Sequence, residues 1–216
     1  MDSFSIFINH AALSEGARVA FFGGTFDPPH RGHLAVARAA ADAFHLGEVL
    51  FAPVGRQPLK HASPVASFAD RLAMVRLACE ADARFEPSGI DTPNPGDEPN
   101  YTVETLEKLH GELPDAKLFA IAGADSFLSL RRWREPNRLL ALAEWIVVSR
   151  PGAPLRELDQ LDLSPEQRAS VHLIETVHDE VSATELRRRL AADDDCPGLI
   201  PQAVAGYIRE HGLYRE

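Results

Sequence analysis

The sequence predicts an α/β fold: a doubly wound, mostly parallel sheet with helices on both faces and a C-terminal helical segment. Three observations carry that expectation. Arg18-Val19-Ala20-Phe21-Phe22, Val49-Leu50-Phe51-Ala52, Leu118-Phe119-Ala120-Ile121-Ala122 and Trp145-Ile146-Val147-Val148 are short apolar runs. They lack the alternation of a sheet with one wet face, so they suit strands covered on both sides. Stretches with apolar residues at helical spacing lie between them. The order strand, helix, strand favours parallel pairing, with ligands beyond the carboxyl ends of the strands.

Each element has its own signal. The run at 18–22 leads through Gly23 and Gly24 into a helix beginning near Arg31 and continuing through Leu34-Ala35-Val36-Ala37-Arg38-Ala39-Ala40. The strand at 49–52 is stopped by Pro53 and Gly55. Ser67-Phe68-Ala69-Asp70 has the form of a capping box, and Leu72, Val75, Leu77 and Ala78 give the following helix an apolar face. Residues 87–100 hold four prolines and two glycines and read as a loop rather than a packed element. A helix follows over Val103–Leu109, then the strand at 118–122 ends at Gly123, and Pro201 stands at the start of a last helix. Residues 1–17, including Ile6-Phe7-Ile8, are expected to be an N-terminal extension to a single domain over 18–216.

Composition narrows the function classes. At 216 residues the chain can bury a sizeable core. Its formal net charge of −10 argues against a nucleic-acid surface. There is no apolar run of membrane-spanning length and no secretory leader pattern, so the expected compartment is the cytoplasm. Cys79 and Cys196 are far apart and outside any CxxC pattern, which fits a reducing compartment and gives neither a disulfide framework nor a zinc site. Asp193-Asp194-Asp195 reads as a solvated run, and no metal site is expected from protein side chains.

The chemistry concentrates in GGTFDPPHRGHL, residues 23–34. A turn from strand to helix offers free backbone N–H groups to an anion, and the helix aims its positive dipole end at the same place. Gly23 and Gly24 permit close backbone approach and positive φ, while Pro28 and Pro29 stiffen the path. His30 and His33 are about one helical turn apart, so both imidazoles can face the loop, donate N–H groups to phosphoryl oxygens and, when protonated, offset developing charge. The residues alone specify a corner that binds phosphate and stabilises charge on it.

That stretch resembles the opening motif GGTFDPxHxGHL of the HxGH nucleotidyltransferases, and within them the bacterial nicotinate mononucleotide adenylyltransferases. The resemblance covers residues 18–214 and implies a Rossmann-like fold. It also implies transfer of the adenylyl group of ATP to nicotinate mononucleotide, with magnesium accompanying ATP and pyrophosphate leaving. By the same resemblance His30, His33 and Arg187 are the expected catalytic residues, and Gly23, Gly24, Thr25, Phe26, Gly123, Asp125, Ser182 and Thr184 the expected ATP contacts. GADSF at 123–127 is similar to a ribose-holding segment, with Asp125 as acceptor. Val181-Ser182-Ala183-Thr184-Glu185-Leu186-Arg187 is similar to ISSTxIR, with Ala for one serine. On their own terms, Ser182 or Thr184 can cap a helix and Arg187 can reach a phosphate.

The acceptor is expected on Lys60, Tyr101, Thr102 and Trp133. Asn100-Tyr101-Thr102-Val103-Glu104-Thr105-Leu106 is similar to SYTxDTL, with Asn for Ser and Glu for Asp. Thr102 is a plausible helix cap there, and the helix start suits a carboxylate. Trp133 can offer a stacking face. Gln57-Pro58-Leu59-Lys60 lines up with PPHK at two of its positions, leaving Lys60 for the mononucleotide phosphate. Local positive charge is expected from the two histidines, Lys60, Arg131, Arg132, Arg134 and Arg187-Arg188-Arg189. Two other readings are nicotinamide mononucleotide or another phosphorylated acceptor, and a nucleotide-binding module without catalysis.

Overall fold

Side chains along each buried strand point alternately to opposite faces, and here both faces are apolar, so two cores form on one sheet. A computed structural model describes residues 16–59, 63–149, 161–175 and 181–215. Its strands are β1 (Arg18–Gly24), β2 (Glu48–Pro53), β3 (Phe85–Pro87), β4 (Lys117–Gly123), β5 (Glu144–Val148) and β6 (Val171–Ile174). They form one six-stranded sheet in the order β3-β2-β1-β4-β5-β6, and every pairing is parallel.

The helices are α1 (Arg31–Phe44), α2 (Phe68–Cys79), α3 (Thr102–Glu112), α4 (Ala124–Phe127), α5 (Pro136–Leu142), α6 (Pro165–Ala169), α7 (Ala183–Ala191) and α8 (Gln202–Glu210). On one face Ala20, Phe22, Phe51 and Ile121 meet Leu34 and Ala37 of α1, Met74 and Val75 of α2, Leu186 of α7 and Val204 of α8. On the other, Val19, Phe21, Leu50 and Ala120 meet Leu106 and Leu109 of α3, Phe127 of α4 and Leu139 of α5. The chain therefore covers one face on the way from β1 to β3 and changes face with α3 before β4. That reversal places a crevice between the carboxyl ends of β1 and β4.

The sequence pattern finds the four central strands but not β3 and β6. These are the sheet edges. β3 is three residues long, and β6 leaves His172 and Leu173 partly exposed, so neither carries the continuous apolar run of an interior strand. The loop expectation for 87–100 is also corrected. Pro87 ends β3, residues 95–97 form a short 3₁₀ turn, and Ser88, Ile90, Asp91 and Asn100 are buried. Their polar groups have partners: Gly55 N–H donates to the Asp91 carbonyl (2.8 Å), Arg56 N–H to Asn100 Oδ1 (3.0 Å), and Thr105 Oγ1 to Asp91 Oδ1 (2.5 Å). A Cβ on Gly55 would lie 2.6 Å from Pro93 Cα, so only glycine lets the 54–59 and 88–101 segments close on each other. Ser67 caps α2 as expected, accepting from Asp70 N–H (3.1 Å).

Gly16 and Ala17 already touch the body of the fold, since Gly16 N–H donates to the Asp115 carbonyl and Ala17 accepts from Lys117 N–H. Ile6-Phe7-Ile8 lies outside the described residues.

Candidate active site

A cleft of about 1080 Å³ opens at the carboxyl ends of the strands, across the reversal between β1 and β4. Gly23 and Gly24 end β1 there, Gly123 ends β4, and Val148 and Ser149 follow from β5. Thr25, Phe26, His30 and His33 form one wall, and Asp125, Ser182, Thr184 and Arg187 reach it from the other elements. Every residue expected to contact ATP or to act in catalysis thus lines one cavity.

The corner is set by backbone geometry. Phe26, not either glycine, takes the left-handed conformation, with φ of 49°. This corrects the expectation of positive φ at Gly23 or Gly24. Their smallness is used for space instead: a Cβ on Gly24 would stand 3.0 Å from the Phe26 ring, and one on Gly23 2.7 Å from the Phe21 ring. A bulky residue at positive φ is strained, and Phe26 is held by a fully buried ring packed edge-on to Phe22, with centroids 5.5 Å apart. The Asp27–Pro28 peptide is cis.

His30 occupies the N-cap position of α1, and its buried ring lies against that of His33, with centroids 3.7 Å apart and planes 32° from parallel. His30 N–H donates to His33 Nδ1 (3.2 Å). In the neutral ring this places the His33 proton on Nε2, which makes that atom the donor. The Phe26 ring meets His33 at 63°, with centroids 4.9 Å apart, and fixes its tilt. The shared facing of the two imidazoles follows the one-turn spacing.

Arg187 extends from α7 so that Nη1 donates to the Asp27 carbonyl (2.8 Å), with Nη2 3.4 Å from Thr184 Oγ1. Ser182 holds the N-cap position of α7, yet its hydroxyl makes no capping bond, and Thr184 lies within the helix. The capping expectation is therefore corrected, and the Ser182 side chain is exposed on the cleft. Arg188 and Arg189 turn away to Glu185 (2.6 Å) and Asp194 (2.8 Å). Asp194 and its neighbours serve as ion-pair partners, with Asp195 3.1 Å from Arg209. Gly123 caps the short α4, leaving Asp125 exposed on the cleft.

The residues expected to bind the acceptor are arranged differently. Tyr101 and Trp133 pack partly against the second core, where the Trp133 ring stands 5.6 Å from that of Trp145 and its Nε1 donates to Ser129 Oγ (2.8 Å). Arg134 lies over the Tyr101 ring at 4.6 Å and pairs with Glu104 (2.8 Å). The N-cap of α3 is Tyr101, and Thr102 is its first helical residue, which corrects Thr102 as the cap. None of Tyr101, Thr102 and Trp133 lines the cleft. Lys60 lies outside the described residues. Arg131, Arg132 and Arg134 do not line the cleft either, and Arg131 binds the Leu161 carbonyl (2.8 Å).

A model of the cytidylyltransferase-like family matches residues 21–189. A probable nicotinate-nucleotide adenylyltransferase of Roseiflexus sp. (strain RS-1) is 43% identical over 199 residues, covering 92% of this chain and 98% of its own. Its counterpart of the same name in Thermomicrobium roseum is 39% identical, covering 92% of each. The chain belongs to the nicotinate-nucleotide adenylyltransferase family. The fold is also that of the Plasmodium falciparum nicotinic acid mononucleotide adenylyltransferase complexed with NaAD, with a TM-score of 0.69 at 16% identity, covering 92% of this chain and 97% of that one.

Within this adenylyltransferase fold, three residues of the corner carry structure that sequence reasoning passed over. Arg71 of α2 is 1% exposed, lines the cleft and donates from Nη1 to the Thr25 carbonyl (2.8 Å). Its Nε is buried with no partner among the described residues, and burial pulls the guanidinium below its usual pKa. Asp27 is buried, accepting from Val65 N–H (2.8 Å), Ala66 N–H (3.1 Å) and the Tyr214 hydroxyl (2.7 Å). The signal for Arg71 was available: with Met74, Val75 and Ala78 it falls on the stripe of α2 that faces the core, where a charge needs a reason. Asp27 and Tyr214 had no local signal, because their contact spans 187 residues.

Proposed function

We propose that this chain transfers the adenylyl group of ATP to nicotinate mononucleotide, giving nicotinate adenine dinucleotide and pyrophosphate. The observation that carries the reading is the stacked His30–His33 pair at the start of α1, in one cleft with Arg187 and the turn after β1. The names of the relatives and of the NaAD complex support the same substrates.

The reaction is a direct in-line displacement. An oxygen of the mononucleotide phosphate forms a bond to the α-phosphorus of ATP as the bond from that phosphorus to its bridging oxygen breaks, and pyrophosphate leaves with the electron pair. No covalent enzyme intermediate is required, so positioning and electrostatics carry the acceleration. His33 Nε2–H and the His30 ring face the triphosphate, and Arg187 adds a guanidinium. Gly23, Gly24, Thr25 and Phe26 present backbone to the phosphates, Ser182 and Thr184 add hydroxyls, and Asp125 beside Gly123 accepts from ribose. Tyr101, Thr102, Trp133 and Lys60 serve the acceptor, whose carboxylate suits the first N–H groups of α3 because these have no intrahelical acceptor.

Magnesium arrives with ATP. Among the described residues no group of three or more His, Cys, Asp or Glu side chains is placed to hold a metal, and the Asp27 oxygens are taken by three donors. On this reading the ion is carried by triphosphate oxygens and water, where it neutralises charge. Among the described residues no helix is long and apolar enough to cross a membrane. The buried, unpaired Cys79 and Cys196 support assignment to the cytoplasm. We assign 18–216 to one nucleotidyltransferase domain and 1–17 to an extension.

A pyrophosphate-release assay tests the reading with ATP and each mononucleotide in turn, with and without magnesium. Release that depends on nicotinate mononucleotide is expected. ATP binding with no release with any mononucleotide would replace the enzyme by a nucleotide-binding module.

A further inference from the structure

The C-terminal end of the chain supplies a support for the phosphate corner that the reaction scheme above does not use. Asp27 sits inside the turn after β1, and three segments converge on it. Its Oδ2 accepts from Val65 N–H, and its Oδ1 from Ala66 N–H and from the Tyr214 hydroxyl. Its carbonyl accepts from Arg187 Nη1 (2.8 Å), whose guanidinium also lies 3.9 Å from Oδ2. Asp27 is 3% exposed and Tyr214 8%, so water does not compete for these bonds. The neighbouring residue on one side is Phe26, held at positive φ, and the carbonyl before that is gripped by buried Arg71. Removing one donor would leave a buried carboxylate short of a partner and free to turn, and Arg187 and the start of α1 would turn with it.

We propose that Tyr214 is a positioning residue for adenylyl transfer, acting through Asp27 on Arg187 and on the turn that leads into His30. The proposal rests on the adenylyltransferase reading. The molecule contains its own control. Tyr207 of α8 makes the same kind of bond, hydroxyl to carboxylate, with Asp70 of α2 (3.0 Å). Asp70 lies outside the corner, so that bond ties two helices without touching the turn after β1.

The test compares Tyr214→Phe with Tyr207→Phe in the full chain. Each loses one hydroxyl and one hydrogen bond to an aspartate. For Tyr214→Phe the expected result is a kcat about tenfold lower, with the KM for the mononucleotide within twofold of wild type. Tyr207→Phe is expected to keep kcat within twofold. In an Arg187→Ala background the Tyr214→Phe effect should shrink to about threefold, because one of the two groups being positioned is gone. Equal kcat in the two tyrosine variants overturns the proposal, as does an undiminished tenfold loss when Arg187 is absent. If the wild type releases no pyrophosphate, the functional reading fails on its own, and ATP affinity by calorimetry then judges the support. A fivefold weaker Kd for Tyr214→Phe than for Tyr207→Phe sustains it, and equal affinities remove it.

Discussion

The two halves of the site are built in opposite ways. The phosphate corner is made within residues 23–33 by one turn between adjacent elements, and its side chains converge on a single cleft. The proposed acceptor half draws on Tyr101, Thr102 and Trp133, none of which lines the cleft, and Tyr101 and Trp133 pack against the second core. The chain path of the first is local, although Asp27 within it is held from residues 65–66, 187 and 214, whereas the second is assembled wholly by packing between distant segments. Substitutions in the corner should therefore change the rate, whereas those on the other side should change acceptor binding or stability.

The largest effect is expected from His33→Ala. Loss of the Nε2–H donor should cost about 3 kcal/mol of transition-state stabilisation, read as a kcat lower by roughly a hundredfold or more while the fold survives. Near-normal turnover would remove the corner from the chemistry and dissolve the contrast.

Asp91, bonded to Thr105 of α3, gives the next effect, read in stability. Burial raises its carboxyl from the ordinary 3.8 to about 6, against the opposing pull of the Thr105 hydroxyl. The folded protein therefore holds this proton more tightly than the unfolded chain does. The associated stability is complete below about pH 3.8 and is lost as pH rises through 6. Asp91→Asn should gain stability relative to wild type as pH rises, by about 2 kcal/mol between pH 4 and 7. Denaturant titrations of both proteins at several pH values measure it, and a constant difference would mean that Asp91 keeps its ordinary acidity.

Arg187→Ala should lower kcat/KM for ATP by about 2 kcal/mol, a loss near thirtyfold, as expected for a charge-assisted hydrogen bond to phosphate. Thr102→Ala should raise the KM for the mononucleotide by about 1 kcal/mol, roughly fivefold, and leave that for ATP alone. If instead the ATP KM moves, the two halves are coupled. The smallest change is expected from Trp133→Phe. Its ring contact with Trp145 can be kept while the bond to Ser129 is lost, at a stability cost of about 1 kcal/mol by chemical denaturation.

The same division explains what the sequence reveals. Central strands such as β1 and β4 announce themselves as continuous apolar runs, and the one-turn spacing of His30 and His33 is enough to place both rings together. The turn residue with positive φ is Phe26 because its ring can be buried between Phe22 and His33, a packing reason that composition does not display. β3 and β6 are hidden by being short edges. Asp91, Arg71 and Tyr214 acquire their roles from partners far along the chain, and only the charge of Arg71 on a core-facing stripe gives a local hint. The buried polar segment at 88–100 shows the same thing from the other side: a proline-rich stretch reads as surface until Gly55 and Thr105 bind the Asp91 carbonyl and carboxylate.

The bond from the His30 backbone to His33 Nδ1 bears on how the imidazole is aimed. A nitrogen that receives the amide of its own helix start ties the ring to the backbone that carries it, so the imidazole cannot swivel without giving up that bond. The far nitrogen is thereby steered outward by the chain's own first turn. Aim is built into the fold before any substrate arrives.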